Sequence, residues 1–236
     1  MRTARRRGGT ARTTMKYKLV VFDIDGTITT HISSWRYIHE KLDLWDVLAR
    51  KYQEQFLAGK ISYRRFCELD AAHWRGLPVK HMEKAFGQVR FSRNAVRAVK
   101  KLKEKGFKLA AVSTGLQFMT DRIKNELGFD AVYGNRLRVY RGKLTGGVII
   151  NISHGAKGKT VRKMLRRFDI RPSEMIAVGD SEGDIPMVER AGYSIAFNSS
   201  SGKLSDMVDY DCCSKDFMEV YRKIMEISEK GRSEEG

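Results

Sequence analysis

The chain has 236 residues, of which 42% are hydrophobic, which is enough for one α/β core and one small inserted domain. It carries 45 lysine and arginine residues against 28 acidic ones, and the net charge of +17 favours negatively charged partners. No apolar run approaches the ~20 residues of a membrane span, so a membrane protein is excluded. Three cysteines without metal-ligand spacing indicate a cytoplasmic protein.

Both ends of the sequence are polar. Residues 1–14 contain five arginines, no acid and no apolar periodicity, which predicts a disordered basic tail. Such a tail supports at most non-specific binding to nucleic acid. We also predict a flexible C-terminus over residues 227–236.

The first predicted strand ends in a pair of carboxylates. The apolar run 19–21 indicates a buried strand, and it continues into FDIDGT at Phe22–Thr27. Asp23 and Asp25 are two residues apart, so we expect them to project to the same side at the carboxyl end of this strand. Close like charges require a proton or a cation, which indicates a metal-assisted site.

A long helical segment follows this motif. Residues 31–90 show helical spacing of apolar side chains and no strand alternation, which predicts an inserted α-helical cap. The core is then formed by residues 15–30 and 91–226. For His31, just after the first motif, we expect a surface or cap role, and contact with the substrate is the alternative.

Three further groups of polar residues follow predicted strands or begin a predicted helix. They comprise hydroxyl and glycine residues after a second strand, a lysine at a helix start, and two acids after a later strand: Ser113, Thr114, Gly115, Lys157, Asp180 and Asp184. An antiparallel hairpin is predicted to turn at Arg141-Gly142.

Together these residues provide the groups that a phosphoryl transfer requires. Asp23 is the predicted nucleophile, because a carboxylate can form an aspartyl-phosphate. Asp25 is the predicted general acid and base for the leaving group and the water. Ser113 and Lys157 are predicted to hold the phosphoryl oxygens.

The acidic residues also predict a magnesium site. Asp23, Asp180 and a main-chain carbonyl near Asp25 would form an all-oxygen shell, which suits Mg²⁺. Asp184 completes the set of predicted metal-site residues, where it would orient the lysine or a metal-bound water.

The four motifs, in this order, resemble those of the haloacid dehalogenase superfamily. FDIDGT resembles its first motif, VST its second, Lys157 its third and GDSEGD its fourth. The stretches 134–148, 156–158 and 177–197 are similar to the phosphoserine phosphatase branch. The resemblance covers residues 15–225 and implies a three-layer, Rossmann-like α/β core with a mostly parallel sheet, an α-helical cap, Mg²⁺ and an aspartyl-phosphate route.

The sequence departs from that branch where the substrate serine is recognised. The resemblance implies a glutamate soon after the first motif and an arginine in the cap. The segment TTHISSW at residues 29–35 contains no acid, and an ungapped alignment places Asp70 at the arginine position. A shifted arginine, at position 64, 65 or 75, stays open. The candidate substrate contacts are Thr114, Gly115, Ser34, Trp35 and Asp70; for the cap residues among them, simple packing is the alternative.

The sequence thus predicts a Mg²⁺-dependent phosphomonoesterase that acts on a small phosphorylated metabolite. One alternative is a phosphotransferase that passes the phosphoryl group from Asp23 to an alcohol. An alternative of another class is a non-catalytic nucleic-acid-binding protein on the same fold. Metal-dependent turnover of a phosphate ester separates that class from the two enzymes.

Removing residues 1–14, so that the chain starts at Met15, is expected to leave the melting temperature and kcat nearly unchanged. Binding to random DNA should weaken and lose part of its salt dependence, because each phosphate contact adds to the salt slope. Melting curves, a phosphatase assay and DNA binding at two salt concentrations test this. A large loss of stability or turnover would show that the tail folds onto the core.

Overall fold

The computed structural model describes residues 15–31, 33–44 and 47–233, so the predicted disordered tail lies outside the described residues. The strands are β1 (Leu19–Phe22), β2 (Lys108–Leu116), β3 (Ala131–Tyr140), β4 (Lys143–Ile149), β5 (Met175–Gly179), β6 (Tyr193–Phe197) and β7 (Tyr210–Cys212). The helices are α1 (Ser34–Lys41), α2 (Val47–Leu57), α3 (Tyr63–His73), α4 (Val79–Gly87), α5 (Ala95–Glu104), α6 (Gln117–Leu127), α7 (Lys157–Phe168), α8 (Ile185–Val188), α9 (Gly202–Ser205) and α10 (Met218–Ser233).

The strands form one sheet in the order β4-β3-β2-β1-β5-β6-β7. Every neighbouring pair is parallel except β3 and β4, which form an antiparallel hairpin. The hairpin turns at Arg141 and Gly142, both at positive φ, as predicted. Strand β1 lies between β2 and β5, so the strand order reverses there, which is the usual position of a ligand site in an open α/β sheet.

The alternation of side chains along β1 produces the layers. Leu19 and Val21 pack into one buried cluster, which also contains Val161 and Met164 of α7. Val20 and Phe22 pack into the opposite cluster, with residues of α5, α6 and α10. Both faces of the sheet are therefore covered, and the predicted three-layer, mostly parallel α/β fold is confirmed.

Helices α1 to α4 form an insertion between β1 and α5. The chain enters and leaves it side by side, since the Thr30 N–H donates to the Arg90 carbonyl at 3.1 Å. Main-chain hydrogen bonds also tie the insertion to the β3–β4 hairpin: Gly76 N–H donates to the Leu144 carbonyl, and Leu144 N–H to the Leu77 carbonyl. The helical insertion is therefore anchored to the core at two places.

The C-terminal stretch 227–236, predicted to be flexible, is helical as far as Ser233, where α10 ends. The last three residues lie outside the described part of the chain. Among the described helices, none has both the length and the apolar composition needed to cross a bilayer.

Candidate active site

Three carboxylates meet at the carboxyl ends of β1 and β5. Asp23 directly follows β1, and Asp180 and Asp184 follow β5, the neighbouring strand. One oxygen from each lies within 4.8 Å of the others. Parallel strands bring these distant parts of the sequence together because their carboxyl ends share one edge of the sheet.

Lys157 lies among these acids. It is the first residue of α7, the helix that packs on the face of β1 that carries Leu19, Val21 and then Asp23. Its Nζ is 2.6 Å from Asp23 Oδ1 and 2.6 Å from Asp184 Oδ1, and the side chain is 3% exposed. Burial would lower the pKa of Lys157, but the two carboxylates outweigh it and raise that pKa. The lysine is therefore a fixed cation.

Both oxygens of Asp184 are used inside the protein. Oδ1 accepts a hydrogen bond from Lys157, and Oδ2 accepts from the main-chain N–H groups of Asp180 and Ser181 at 3.0 and 3.1 Å. The Asp184 side chain is completely buried. Its geometry thus suits the orientation of the lysine and of the loop after β5.

Asp23 and Asp180 are arranged to receive positive charge. Burial, and then the charge of Asp184, raise the pKa of Asp23 well above its usual range and that of Asp180 to about 7. Thr27 Oγ1 donates to Asp180 Oδ1 at 2.8 Å and fixes that carboxylate. A hard dication would relieve this repulsion, so the donor set fits Mg²⁺.

Asp25 faces different partners from Asp23. Strand β1 ends at Phe22 and the chain turns at Gly26, so the expected strand alternation does not extend to Asp25. Its Oδ2 accepts a hydrogen bond from Ser34 N–H at 2.8 Å, and its Oδ1 lies 3.0 Å from His31 Nε2. Its carboxylate lies outside the acidic cluster, so its predicted metal role rests on its main-chain carbonyl.

His31 contacts the carboxylate of Asp25. Its side chain is 11% exposed and lies against Asp25, at the start of the predicted cap segment 31–90. Burial would raise the pKa of Asp25, yet His31 and the Ser34 hydrogen bond lower it. Two groups that follow the first motif, His31 and the Ser34 N–H, thus set the position of the Asp25 carboxyl group.

Ser113 and Gly115 lie next to Asp25. Ser113 is 2% exposed, and its Oγ accepts a hydrogen bond from Gly115 N–H at 2.8 Å. A β-carbon at position 115 would lie 2.4 Å from Ser34 Oγ and 2.8 Å from Asp25 Oδ2. The hydroxyls of Ser113 and Ser34 and the Asp25 carboxylate therefore converge on Gly115, and a larger residue there would displace at least one of them.

The predicted cap residues have separate positions. Trp35 is 4% exposed and donates from Nε1 to the Thr114 carbonyl at 3.1 Å, beside the site. Asp70 is 1% exposed, and its Oδ1 lies 3.4 Å from the Nε2 of buried His39. Burial raises the pKa of Asp70. Both residues stay predictions as substrate contacts.

Sequence reasoning missed two residues next to Thr114. Tyr63 of α3 donates its hydroxyl to the Thr114 carbonyl at 2.9 Å, and Asn135 of β3 donates to the same oxygen at 2.9 Å. Asn135 lies in the stretch 134–148 that carries the resemblance, which was a usable signal. For Tyr63 the sequence held no signal of this contact beyond its helical spacing.

Gly26→Ala is expected to destabilise the protein by about 2 kcal/mol more than Gly59→Ala. Both glycines have positive φ, of +86° and +68°. A β-carbon at position 26 would lie 2.2 Å from Asp180 Oδ2, whereas one at position 59 meets no atom within 4 Å. Denaturant unfolding of the two variants measures the difference. Equal losses would mean that the turn after Asp25 is not packed against Asp180.

Comparisons with known proteins agree with this geometry. The family model described as haloacid dehalogenase-like hydrolase matches residues 20–189. Phosphoserine phosphatase from Archaeoglobus fulgidus is 35% identical over 204 residues, which cover 81% of this chain and 55% of that protein. Phosphoserine phosphatase from Methanocaldococcus jannaschii is 30% identical over 210 residues, which cover 89% of this chain and 98% of that protein.

A solved structure gives the same result. The phospho-aspartyl intermediate analogue of a phosphoserine phosphatase superposes with a TM-score of 0.75 at 29% identity, covering 88% of this chain and 99% of the other. The predicted family and the predicted class of enzyme, a phosphoric monoester hydrolase, are confirmed. With its buried lysine–carboxylate site at the reversal of strand order, the chain belongs to the haloacid dehalogenase-like hydrolases, in their phosphoserine phosphatase-like group.

Proposed function

We propose that this protein is a Mg²⁺-dependent phosphomonoesterase that cleaves a small phosphorylated metabolite through an aspartyl-phosphate on Asp23. The observation that carries the proposal is the buried contact of Lys157 with both Asp23 and Asp184, next to Asp180. This contact fixes one carboxylate beside a permanent cation, which is the arrangement a phosphoryl acceptor needs.

In the first step, Asp23 attacks phosphorus while neighbouring groups hold the phosphoryl oxygens. Lys157 provides positive charge 2.6 Å from the nucleophile, and Ser113 provides a hydroxyl on the next strand. Mg²⁺, held by Asp23, Asp180 and the Asp25 carbonyl, would supply further charge stabilisation when bound. The new bond joins Asp23 to phosphorus, and the bond to the ester oxygen breaks.

Asp25 is the general acid in the first step and the general base in the second. It gives a proton to the departing alkoxide, and then takes one from the water that hydrolyses the aspartyl-phosphate. The contacts of its two oxygens with Ser34 N–H and His31 Nε2 fix the carboxyl group and support this role. The products are an alcohol and inorganic phosphate, and Asp23 is regenerated.

The substrate is proposed to differ from L-phosphoserine. The relatives are phosphoserine phosphatases by name, but residues 29–35 offer no acid for an amino group. Asp70, aligned with the expected arginine, is buried against His39. Of the nearby arginines, Arg65 faces Glu68 at 3.8 Å, and Arg75 lies against Gly146 of β4.

Asp25→Asn is expected to reduce kcat for alkyl phosphates by about 10²–10⁴-fold, because an alkoxide must be protonated as it leaves. With 4-nitrophenyl phosphate, the first turnover should persist as a burst of nitrophenolate, followed by slow hydrolysis of the phospho-enzyme. Stopped-flow absorbance measures this burst. Asp23→Asn is the control and should show neither burst nor turnover. A burst in that control would overturn the assignment of the nucleophile.

A panel of phosphorylated metabolites with Mg²⁺ tests the function itself. We expect a chelator to abolish turnover and Mg²⁺ to restore it. L-phosphoserine should have kcat/KM at least about tenfold below that of the best substrate, because a mismatched site leaves charged groups unpaired. If L-phosphoserine is the best substrate, an arginine at position 64, 65 or 75 binds its carboxylate. An added alcohol that becomes phosphorylated would identify a phosphotransferase.

A further inference from the structure

The main-chain carbonyl of Thr114, one residue after Ser113, is held by side chains. It accepts hydrogen bonds from Trp35 Nε1 at 3.1 Å, from the Tyr63 hydroxyl at 2.9 Å and from Asn135 Nδ2 at 2.9 Å. Trp35 and Tyr63 belong to the helical insertion, on α1 and α3. A carbonyl oxygen has two lone pairs, so three donors fully occupy it.

The other side of the same peptide unit faces the active site. The described residues contain no cis peptide bond, so the Thr114 carbonyl and the Gly115 N–H point in opposite directions. That N–H donates to Ser113 Oγ at 2.8 Å. With one lone pair of the oxygen engaged in this way, the Ser113 hydroxyl keeps its own proton for another acceptor.

We propose that Tyr63 and Trp35 are positioning residues for phosphoryl binding, which act through the Thr114–Gly115 peptide on the Ser113 hydroxyl. Trp35 and Tyr63 of the insertion fix the Thr114 carbonyl. Because the peptide unit is planar, this also fixes the direction of the Gly115 N–H, and the hydrogen bond from that N–H orients Ser113 Oγ. The inference rests on the proposed function, in which Ser113 binds the phosphoryl group. It goes further, because two cap residues then contribute to binding the group common to every substrate.

The donors are themselves fixed. Trp35 stacks on Trp74, with ring centroids 5.7 Å apart. Asn135 Nδ2 lies 3.1 Å from the Tyr63 hydroxyl, and Asn135 Oδ1 accepts from the N–H groups of Asn151 and Ile152, both at 2.9 Å. A rigid set of donors can hold a peptide plane in one orientation, whereas mobile donors would follow it.

Packing alone is the competing account of Tyr63. Its ring lies 5.6 Å from that of Phe56 and 6.3 Å from that of Phe66. Tyr63→Phe keeps these ring contacts and removes only the hydroxyl that reaches Thr114. The variant therefore separates the proposed role from packing.

A double-mutant cycle between Tyr63→Phe and Ser113→Ala tests the proposal, with inorganic phosphate and Mg²⁺ as the probe and calorimetry as the readout. We expect Tyr63→Phe to weaken phosphate binding by about three- to tenfold, the effect of one hydrogen bond. In the Ser113→Ala background the same change should weaken binding by less than about twofold, because the group it positions is gone. With a substrate from the panel, KM should rise in the same pattern.

Tyr17→Phe is the matched control. Its hydroxyl also donates to a main-chain carbonyl, that of Gly192 at 3.4 Å. This contact lies at the amino ends of the parallel strands, away from the site at their carboxyl ends. This change should leave phosphate binding unaltered. Trp35→Phe removes a second donor to Thr114 and should show the same dependence on Ser113 as Tyr63→Phe. Melting curves establish that each variant is folded.

Equal weakening by Tyr63→Phe in both backgrounds, or no weakening in either, overturns the inference. A wild-type chain that binds no phosphate overturns it as well. A chain that binds phosphate with the expected coupling, but hydrolyses no ester of the panel, supports the inference while the proposed function fails. The two claims are therefore judged by different measurements.

Discussion

The rest of the site depends on one buried ammonium group. Removing Lys157 from water carries a large desolvation cost, which is offset only because Asp23 and Asp184 lie 2.6 Å from its Nζ. Without this cation, the repelling charges of Asp23, Asp180 and Asp184 would be left uncompensated. The contact also joins the end of β1, the first turn of α7 and the loop after β5, so three separate segments of the core meet at this group.

Residues of the helical insertion form hydrogen bonds with core residues of the site. The core provides Asp23 and Asp180, but Asp25 receives its hydrogen bond from Ser34, at the start of α1. Tyr63 of α3 reaches the Thr114 carbonyl, one residue beyond Ser113. The insertion and the core therefore share hydrogen bonds at the residues to which the proposed function assigns the chemistry.

Strand endings explain how much of this the sequence predicted. Asp23, Ser113 and Asp180 each follow an apolar run, and parallel strands bring such positions to one edge, so the core and the grouping of these residues were predictable. The partners of Asp25 were not, because β1 ends at Phe22 and the turn at Gly26 releases the chain from strand periodicity.

The contacts that the side chains of the insertion make could not be predicted from the sequence, for a similar reason. Helical spacing places Tyr63 on an apolar face, but it does not say which carbonyl its hydroxyl reaches 51 residues away. The pairing of Asp70 with His39 joins two helices of the insertion, and no local pattern records it. The hairpin turn at Arg141-Gly142 was predictable, because turn chemistry is local.

Chemical capture of the phospho-enzyme tests the central claim most directly. Acid quenching of the Asp25→Asn variant during turnover of 4-nitrophenyl phosphate, followed by peptide mass spectrometry, locates the transferred group. The account predicts one phosphoryl group per chain, on the peptide that contains Asp23. Turnover with a phosphoryl group on any other residue, or with none captured, would contradict it.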